Sequence, residues 1–542
     1  MKKTIIAFLS LAIVFCSCFS TLAVSADTAR KNSLSMSRTS DREFVRVKGR
    51  GYYDDTNLRL TWSASGYSVR FYGTELKAVM TAEGISGVLN IYTDRNSNQY
   101  YFNTDASDYS AERVAYNARC PHINLSDGQK TYTVVSGLEE GIHTVTLLKR
   151  GEIIRSSNIY LSGLSTDGYF CDPPAESPRK IEIVGDSNAT GFGNLASGSG
   201  DYVWDQQDAT LTFGAYCAEA LSADYSLCAR SGSAVTPTYG EGSMVDTYLM
   251  KDRWHGFTED YDFGSGSDVV IVHLGDNDHD SGAGSDNYIM WLAHLLSQIR
   301  HRNRNATIIC VLSLCVGYDD WYGYVQQAID RAKSEHGVTN VYKYLVDRAD
   351  SNNGAPAGHA LQKYHKILGK NLADYIRTLK GWDGNVYEAV EDNTDSNVVI
   401  DLSKSYYKPG ETVSFSASVT TGVGSISSVS VKKIGTEYGQ SVAVTGSGGN
   451  YSFTMPSDRV LVSAKATIRL MCGDINFDNK SNAVDALYAM RYSVGLITLS
   501  DLQLKSGDVD NSSSVTLVDA LVILQYSVKK ISSFPAGEYV YV

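Results

Sequence analysis

Three side chains that together could hydrolyse an ester stand far apart in this chain. Ser187 lies in Gly185-Asp186-Ser187-Asn188-Ala189-Thr190-Gly191-Phe192-Gly193, just after the apolar run Ile181-Glu182-Ile183-Val184. Asn277 lies in Gly275-Asp276-Asn277-Asp278, and His359 in Gly354-Ala355-Pro356-Ala357-Gly358-His359-Ala360. A serine hydroxyl is a weak nucleophile until a base takes its proton. The intermediate that follows carries an oxyanion, which needs donors already in place. The candidate donors are the Ser187 N–H, the Gly232 N–H in Ala229-Arg230-Ser231-Gly232-Ser233, and the Asn277 amide. His359 is the candidate base, with His365 on the following helix as the alternative. No aspartate stands two or three residues before His359. A backbone carbonyl accepting Nδ1–H could fix the imidazole tautomer instead. Asp347 and Asp350 are further candidates that the spacing does not select.

Two other chemistries fit poorly. The glycines of 185–193 lack the Lys-Ser/Thr of a phosphate-binding loop. Asp276, Asp278, His279 and Asp280 crowd together, but successive residues rarely point at one ion. Among the tryptophans, Trp204, Trp254, Trp291 and Trp321 could stack on sugar rings. Trp291 sits in an apolar helical pattern and reads as core. Trp321 follows Gly317-Tyr318-Asp319-Asp320, reads as a loop residue near the sheet edge, and is the candidate substrate platform.

These residues need a scaffold that brings them to one rim. Over 176–382, strand-like runs at 181–184, 268–274, 307–314 and 339–346 alternate with helical stretches at 211–223, 288–302, 324–335 and 360–379. Such alternation predicts a parallel sheet flanked by helices. Open sheets of this class place their sites at the carboxyl ends of the strands. Upstream, 41–172 shows short alternating runs with Gly, Asn and Asp turns, the pattern of an antiparallel sandwich. Residues 27–40 read as disordered, and 383–396 as an acidic linker. Alternation returns over 397–469, predicting an immunoglobulin-like sandwich that serves as a spacer.

The 542 residues exceed what one core serves, so several domains are expected. A net charge of −12 argues against a nucleic-acid partner. The 36 tyrosines suit β surfaces and sugar contacts alike. Residues 1–26 read as a secretory signal: Lys2 and Lys3, an apolar stretch, then Val24-Ser25-Ala26. No other segment reaches spanning length, so an exported protein with no membrane span is expected. The seven cysteines beyond the signal are scattered and odd in number, so buried free thiols are expected. Cys310 and Cys315 on one extended run stand roughly 17 Å apart, too far to bond.

The last 70 or so residues repeat internally: Val484-Asp485-Ala486-Leu487 recurs as Val518-Asp519-Ala520-Leu521. Each copy opens with a twelve-residue loop. Asp474, Asn476, Asp478, Asn482 and Asp485 supply side-chain oxygens, with Lys480 offering a carbonyl. In the second loop Asp508, Asp510, Ser512, Thr516 and Asp519 do so, with the carbonyl from Ser514. Six to eight oxygens at these positions suit Ca²⁺, so two ions are expected, the second bound more weakly by its neutral Ser512 and Thr516. Aspartate replaces glutamate at loop position 12, and the glycine of position 6 is absent. This duplicated loop-helix unit resembles a dockerin over 470–536. The resemblance implies a scaffoldin cohesin as partner, with Ala483, Val484, Leu517 and Val518 helping to choose it.

The catalytic blocks resemble the SGNH (GDSL) hydrolases. More narrowly, 41–380 looks like carbohydrate esterase family two. The resemblance is carried by Gly49-Arg50-Gly51-Tyr52-Tyr53-Asp54-Asp55, Leu148-Lys149-Arg150 and 179–187. It implies a jelly roll followed by a flavodoxin-like SGNH domain, removal of acetyl groups from xylan or glucomannan, and a family that includes Ser-His dyads. Its register favours His359 over His365 as base and gives Asp186 a structural role in the turn. The expected protein is thus a secreted, cellulosome-attached acetyl esterase acting on plant polysaccharide. The rival expectation, prompted by the missing aspartate, is a scaffold that only binds polysaccharide.

Overall fold

The computed structural model describes residues 30–84, 87–94, 109–153, 158–237, 242–312, 321–347, 354–420 and 424–542. The signal segment, Cys315, the 317–320 loop and Asp350 lie outside them. The N-terminal unit is a sandwich of two antiparallel six-stranded sheets. One sheet runs Tyr52–Tyr53, Leu58–Leu60, Asn158–Thr166, Leu76–Glu83, Gly128–Val135. The other runs Tyr169–Cys171, Gly66–Gly73, Gly141–Lys149, Gly87–Tyr92, His122–Leu125. Alternate residues Leu76, Ala78, Met80 and Ala82 point inward, as a half-buried strand requires. The unit begins earlier than expected: Ser33–Ser35 pairs with Asn158–Thr166, and Thr39–Arg42 is helical. Leu34 and Met36, two apolar residues in a polar stretch, are buried and anchor it.

The second unit carries five parallel strands: β1 (Lys180–Gly185), β2 (Asp224–Ala229), β3 (Val269–His273), β4 (Thr307–Leu312) and β5 (Val341–Leu345). Their order is β2-β1-β3-β4-β5, with a switch point between β1 and β3. Helices α1 (Phe213–Ala220) and α4 (Gln362–Lys380) pack together on one face. Helices α2 (Ser285–Arg302) and α3 (Trp321–His336) pack on the other. Strand β2 escaped the hydrophobic pattern because it opens on Asp224-Tyr225-Ser226, which are only half-buried.

The residues around Arg50 and Arg150 form the joint between the two units. The fully buried Arg50 guanidinium donates to the carbonyls of Tyr248 and Met250 at 2.9 Å each and stands 3.3 Å from Glu182 Oε1 on β1. Breaking such a buried pair costs about 3–5 kcal/mol, because the survivor is left unpaired in a dry interior. Arg150 donates to Asn90 Oδ1 and stands 3.0 Å from Asp208.

A second two-sheet sandwich follows, its first sheet built around Val460–Met471 and its other around Thr412–Val419. The stretch expected as a linker, 383–396, contains the strand Tyr387–Glu391, which runs parallel to Val460–Met471. Its acidity misled: Glu388 is buried, 2.8 Å from Arg70 of the first sandwich and 3.2 Å from Arg459 of the second. The C-terminal unit packs α5 (Ala483–Ser493), α6 (Asp501–Gly507) and α7 (Leu517–Ser527) around Ile475, Ala489, Val509 and Ile523. Among the described residues no helix is long and apolar enough to cross a membrane. The six described cysteines are unbonded thiols.

Candidate active site

Strand β1 ends at Gly185, and Asp186 caps the single helical turn Ser187–Thr190 by accepting the Asn188 N–H at 2.9 Å. This turn holds Ser187 at the carboxyl edge of the sheet, beside the switch point. From the far end of the domain, the turn Pro356–Gly358 delivers His359 just ahead of α4. Its Nε2 lies 2.6 Å from Ser187 Oγ, and its Nδ1 lies 2.8 Å from the Pro356 carbonyl. A carbonyl only accepts, so Nδ1 carries the proton and Nε2 offers its lone pair to the serine hydroxyl. The group fixing the tautomer is therefore a backbone oxygen. Ala357 adopts a left-handed φ of 53° to aim it.

His365 takes no part in this contact. It is buried in the core, where Nδ1 accepts the Phe213 N–H at 3.4 Å and the ring stacks parallel to Phe213. Burial, then the neighbouring His273 and His359, hold its pKa down at about 3, so it stays neutral.

The candidate oxyanion donors follow three adjacent strands. Gly185 of β1 pairs in register with Ala229 of β2 and His273 of β3. Ser187, Gly232 and Asn277 stand two to four residues beyond those ends, at one rim. As the first helical residue, Ser187 has an N–H with no intrahelical acceptor. Asn277 Nδ2 donates one proton to the Ser233 carbonyl at 2.9 Å, leaving its second proton for another acceptor.

Behind the nucleophile sits a trio, the buried Asp186 and His273 and the half-buried Asp276, with one ligand-capable atom of each within 4.8 Å of the others. Burial pulls the His273 pKa down, but Asp186 and then Asp276 outweigh it and hold it at about 9. Burial and the charge of Asp186 push Asp276 up to about 7. The two acids beside it thus favour the charged form of the His273 ring. Asn188 Nδ2 ties the trio to the nucleophile's turn, donating to Asp276 at 3.3 Å.

Trp321 is not a loop residue. It opens α3, half-buried, with its ring 4.7 Å from Tyr288, 5.6 Å from His279 and 5.7 Å from Tyr324. Phe192 and Tyr202, to which the sequence gives no role, lie closer to the base. Phe192 stands 4.5 Å from the His359 ring and stacks on Tyr202 at 4.2 Å. Trp204, two residues on, is 47% exposed. The signal was there in the aromatic between Gly191 and Gly193.

In the C-terminal loops, Asp474 accepts from the N–H groups of Asp478 and Asn479, and Asp485 from those of Ile475, Asn476 and Asn482. Loop positions 4 and 6 are left-handed in both copies: Phe477 (φ 60°), Asn479 (φ 64°), Asn511 (φ 61°) and Ser513 (φ 71°). Asn479 and Ser513 thus make the sharp turn usually given to glycine. Carboxylate oxygens of Asp508, Asp510 and Asp519 converge within 4.8 Å, a hard oxygen set that fits Ca²⁺.

No family model matches the chain. It is 24% identical over 353 residues, 63% of its length, to a cellulase/esterase of Acetivibrio thermocellus. It is 28% identical over 152 residues, 26% of its length, to an acetylxylan esterase/glucomannan deacetylase of Cellvibrio japonicus. It spans 40% of the length of each of these relatives. Among solved structures, a family two carbohydrate esterase from Clostridium thermocellum in complex with cellohexaose superimposes with a TM-score of 0.53 at 23% identity, covering 62% of this chain and 99% of that one. An acetyl xylan esterase from the rumen bacterium Butyrivibrio proteoclasticus does so with a TM-score of 0.54 at 20% identity, covering 65% and 99%. The paired sandwich and parallel-sheet units therefore have the jelly-roll-plus-SGNH fold of the family two carbohydrate esterases.

Proposed function

We propose that this protein is a carboxylic ester hydrolase that removes O-acetyl groups from plant cell-wall polysaccharide of the xylan or glucomannan kind. The observation that carries the reading is the Ser187–His359 contact of 2.6 Å, with the Pro356 carbonyl on the other ring nitrogen. As Ser187 Oγ attacks the acetyl carbonyl, its proton passes to His359 Nε2. The Ser187 and Gly232 N–H groups and the Asn277 amide receive the oxyanion. The tetrahedral intermediate collapses, the C–O bond to the sugar breaks, and His359 gives its proton to the departing sugar hydroxyl. Water, deprotonated by the same imidazole, then attacks the acetyl-serine and releases acetate. With a carbonyl rather than a carboxylate at Nδ1, the imidazolium gains less electrostatic support than in an acid-completed triad.

The similarity to an acetylxylan esterase/glucomannan deacetylase supports this substrate class. In the same reading the protein is secreted, the second sandwich is an immunoglobulin-like spacer, and residues 470–536 are a dockerin. Two Ca²⁺ ions, held by Asp474, Asp485, Asp508, Asp519 and their loop neighbours, would order that unit for a scaffoldin cohesin. Exposed Val484, Leu487, Leu517, Val518 and Leu521 offer an apolar surface for that contact. The test is acetate release from acetylated xylan and glucomannan by the full chain and by Ser187→Ala. The reading expects turnover by the first and a loss of at least about 10⁴-fold in the second. Equal rates would reject it, and glycan binding without turnover would favour a binding-only scaffold.

A further inference from the structure

We infer that Glu152, in the N-terminal sandwich, is a positioning residue for the oxyanion site of the neighbouring domain. The inference rests on the esterase reading and concerns the same rim. Glu152 is fully buried in the loop after Gly141–Lys149. Its Oε2 accepts the Ser231 N–H at 2.8 Å, and its Oε1 accepts the Ser231 hydroxyl at 2.8 Å. Both carboxylate oxygens thus hold one residue, and that residue directly precedes Gly232.

The turn geometry explains why this grip matters. Ser233 N–H donates to the Arg230 carbonyl at 3.1 Å, so Ser231 and Gly232 are the central residues of a β-turn. Gly232 has φ of +80°, the value of a type II turn. In a type I turn the same position sits near about −90°, and the peptide joining the two central residues is rotated by roughly half a turn. That peptide carries the Gly232 N–H, so the turn type decides which way the donor points. No atom lies within 4 Å of a Cβ built on Gly232; the glycine is needed for its φ, not for space.

The far half of the loop is anchored by its own domain. Asn277 holds the Ser233 carbonyl, and Asp278 accepts from the N–H groups of Val235 (3.0 Å) and Thr236 (2.9 Å). The near half is held across the domain joint. Arg150 is locked onto Asp208, Ile153 is buried in the core beside β3 and α2, and Glu152 lies between them. A glutamine at 152 could accept only one of the two Ser231 protons, since its amide nitrogen donates. The sandwich therefore does more than flank the sheet: it fixes the direction of one catalytic donor.

The test compares Glu152→Ala, Glu152→Gln and Ser231→Ala in the full chain. It reads kcat and KM on an aryl acetate, inhibition by methylboronic acid, and melting temperature. Misdirecting one donor should lower kcat about 100-fold in Glu152→Ala, with KM within about twofold. Affinity for the boronate, whose adduct is tetrahedral, should fall by a similar factor. Glu152→Gln should lose about tenfold, Ser231→Ala less, and the Glu152→Ala/Ser231→Ala pair no more than Glu152→Ala alone. Wild-type kcat in both Glu152→Gln and Ser231→Ala would overturn the inference, as would a loss confined to melting temperature. Ser187-dependent turnover indifferent to Glu152 sinks this inference alone; absence of Ser187-dependent turnover sinks the esterase reading as well.

Discussion

Gly193→Ala should slow the enzyme by disturbing the carbonyl that orients its base. Gly193 has φ of +64°, and a Cβ there would lie 2.9 Å from Pro356 Cδ and 3.3 Å from Cγ. The left-handed backbone costs an alanine about 1–2 kcal/mol, which will appear as lower stability. The contact adds a directed push: carbon atoms rest at about 3.5–4.0 Å, so the Pro356 ring must retreat by at least about 0.5 Å. Pro356 bears the oxygen 2.8 Å from His359 Nδ1, and that bond strengthens when the ring becomes an imidazolium. A hydrogen bond to a charged group contributes about 1.5–3 kcal/mol, so losing most of it lowers kcat about 10- to 100-fold. The assay is steady-state hydrolysis of an aryl acetate together with thermal unfolding. Gly198→Ala is the control, because a Cβ there meets no atom within 4 Å. If Gly193→Ala melts lower yet keeps kcat within twofold of Gly198→Ala, the Pro356 carbonyl does not orient the base as argued.

Three further outcomes are expected. Because His273 titrates at about 9 when folded and near 6.5 when unfolded, its contribution to stability is complete below about pH 6.5 and is lost as pH rises through about 9. Asp276, raised to about 7, works in the same direction at lower pH. The melting temperature of wild type should therefore exceed that of His273→Asn most at about pH 6 and converge on it above about pH 9, as read by a melting series; a constant gap would refute this. Trp204→Ala should raise KM for acetylated polymer about two- to tenfold, the effect of losing one stacking contact of 0.5–1.5 kcal/mol, while small aryl acetates are turned over as before. Calcium titration of the chelator-treated full chain should fill two sites, and Asp508→Ala should leave one; two sites in both proteins would refute the assignment of the second loop.

Some of this was legible in the residues and some was not. The turn bearing Ser187 follows a short strand that is apolar except at Lys180 and Glu182, and a buried parallel strand ending in Gly185 has few other readings. The register of the resembled family favours His359 over His365, and only His359 stands beside Ser187, with His365 turned into the core. What escaped depended on distance. Glu388 looks like part of a solvated acidic linker until Arg70 and Arg459 close on it from two domains. Strand β2 opens on a polar residue, Asp224, which pairs with Lys48 of the sandwich, a contact no local pattern announces. Glu152 carries no local pattern, since its contact is with a turn in the next domain. Trp321 was placed by its loop-like neighbours, yet an aromatic at the start of a helix finds more to bury against Tyr288 and Tyr324 than in water.

The most direct test of the central claim is rapid-quench mass spectrometry of the full chain mixed with an aryl acetate. The account predicts an acetyl group transiently on the peptide that carries Ser187, absent in Ser187→Ala and formed far more slowly in His359→Ala. Turnover at the normal rate with no label on that peptide, or with Ser187→Ala as active as the parent, would contradict it.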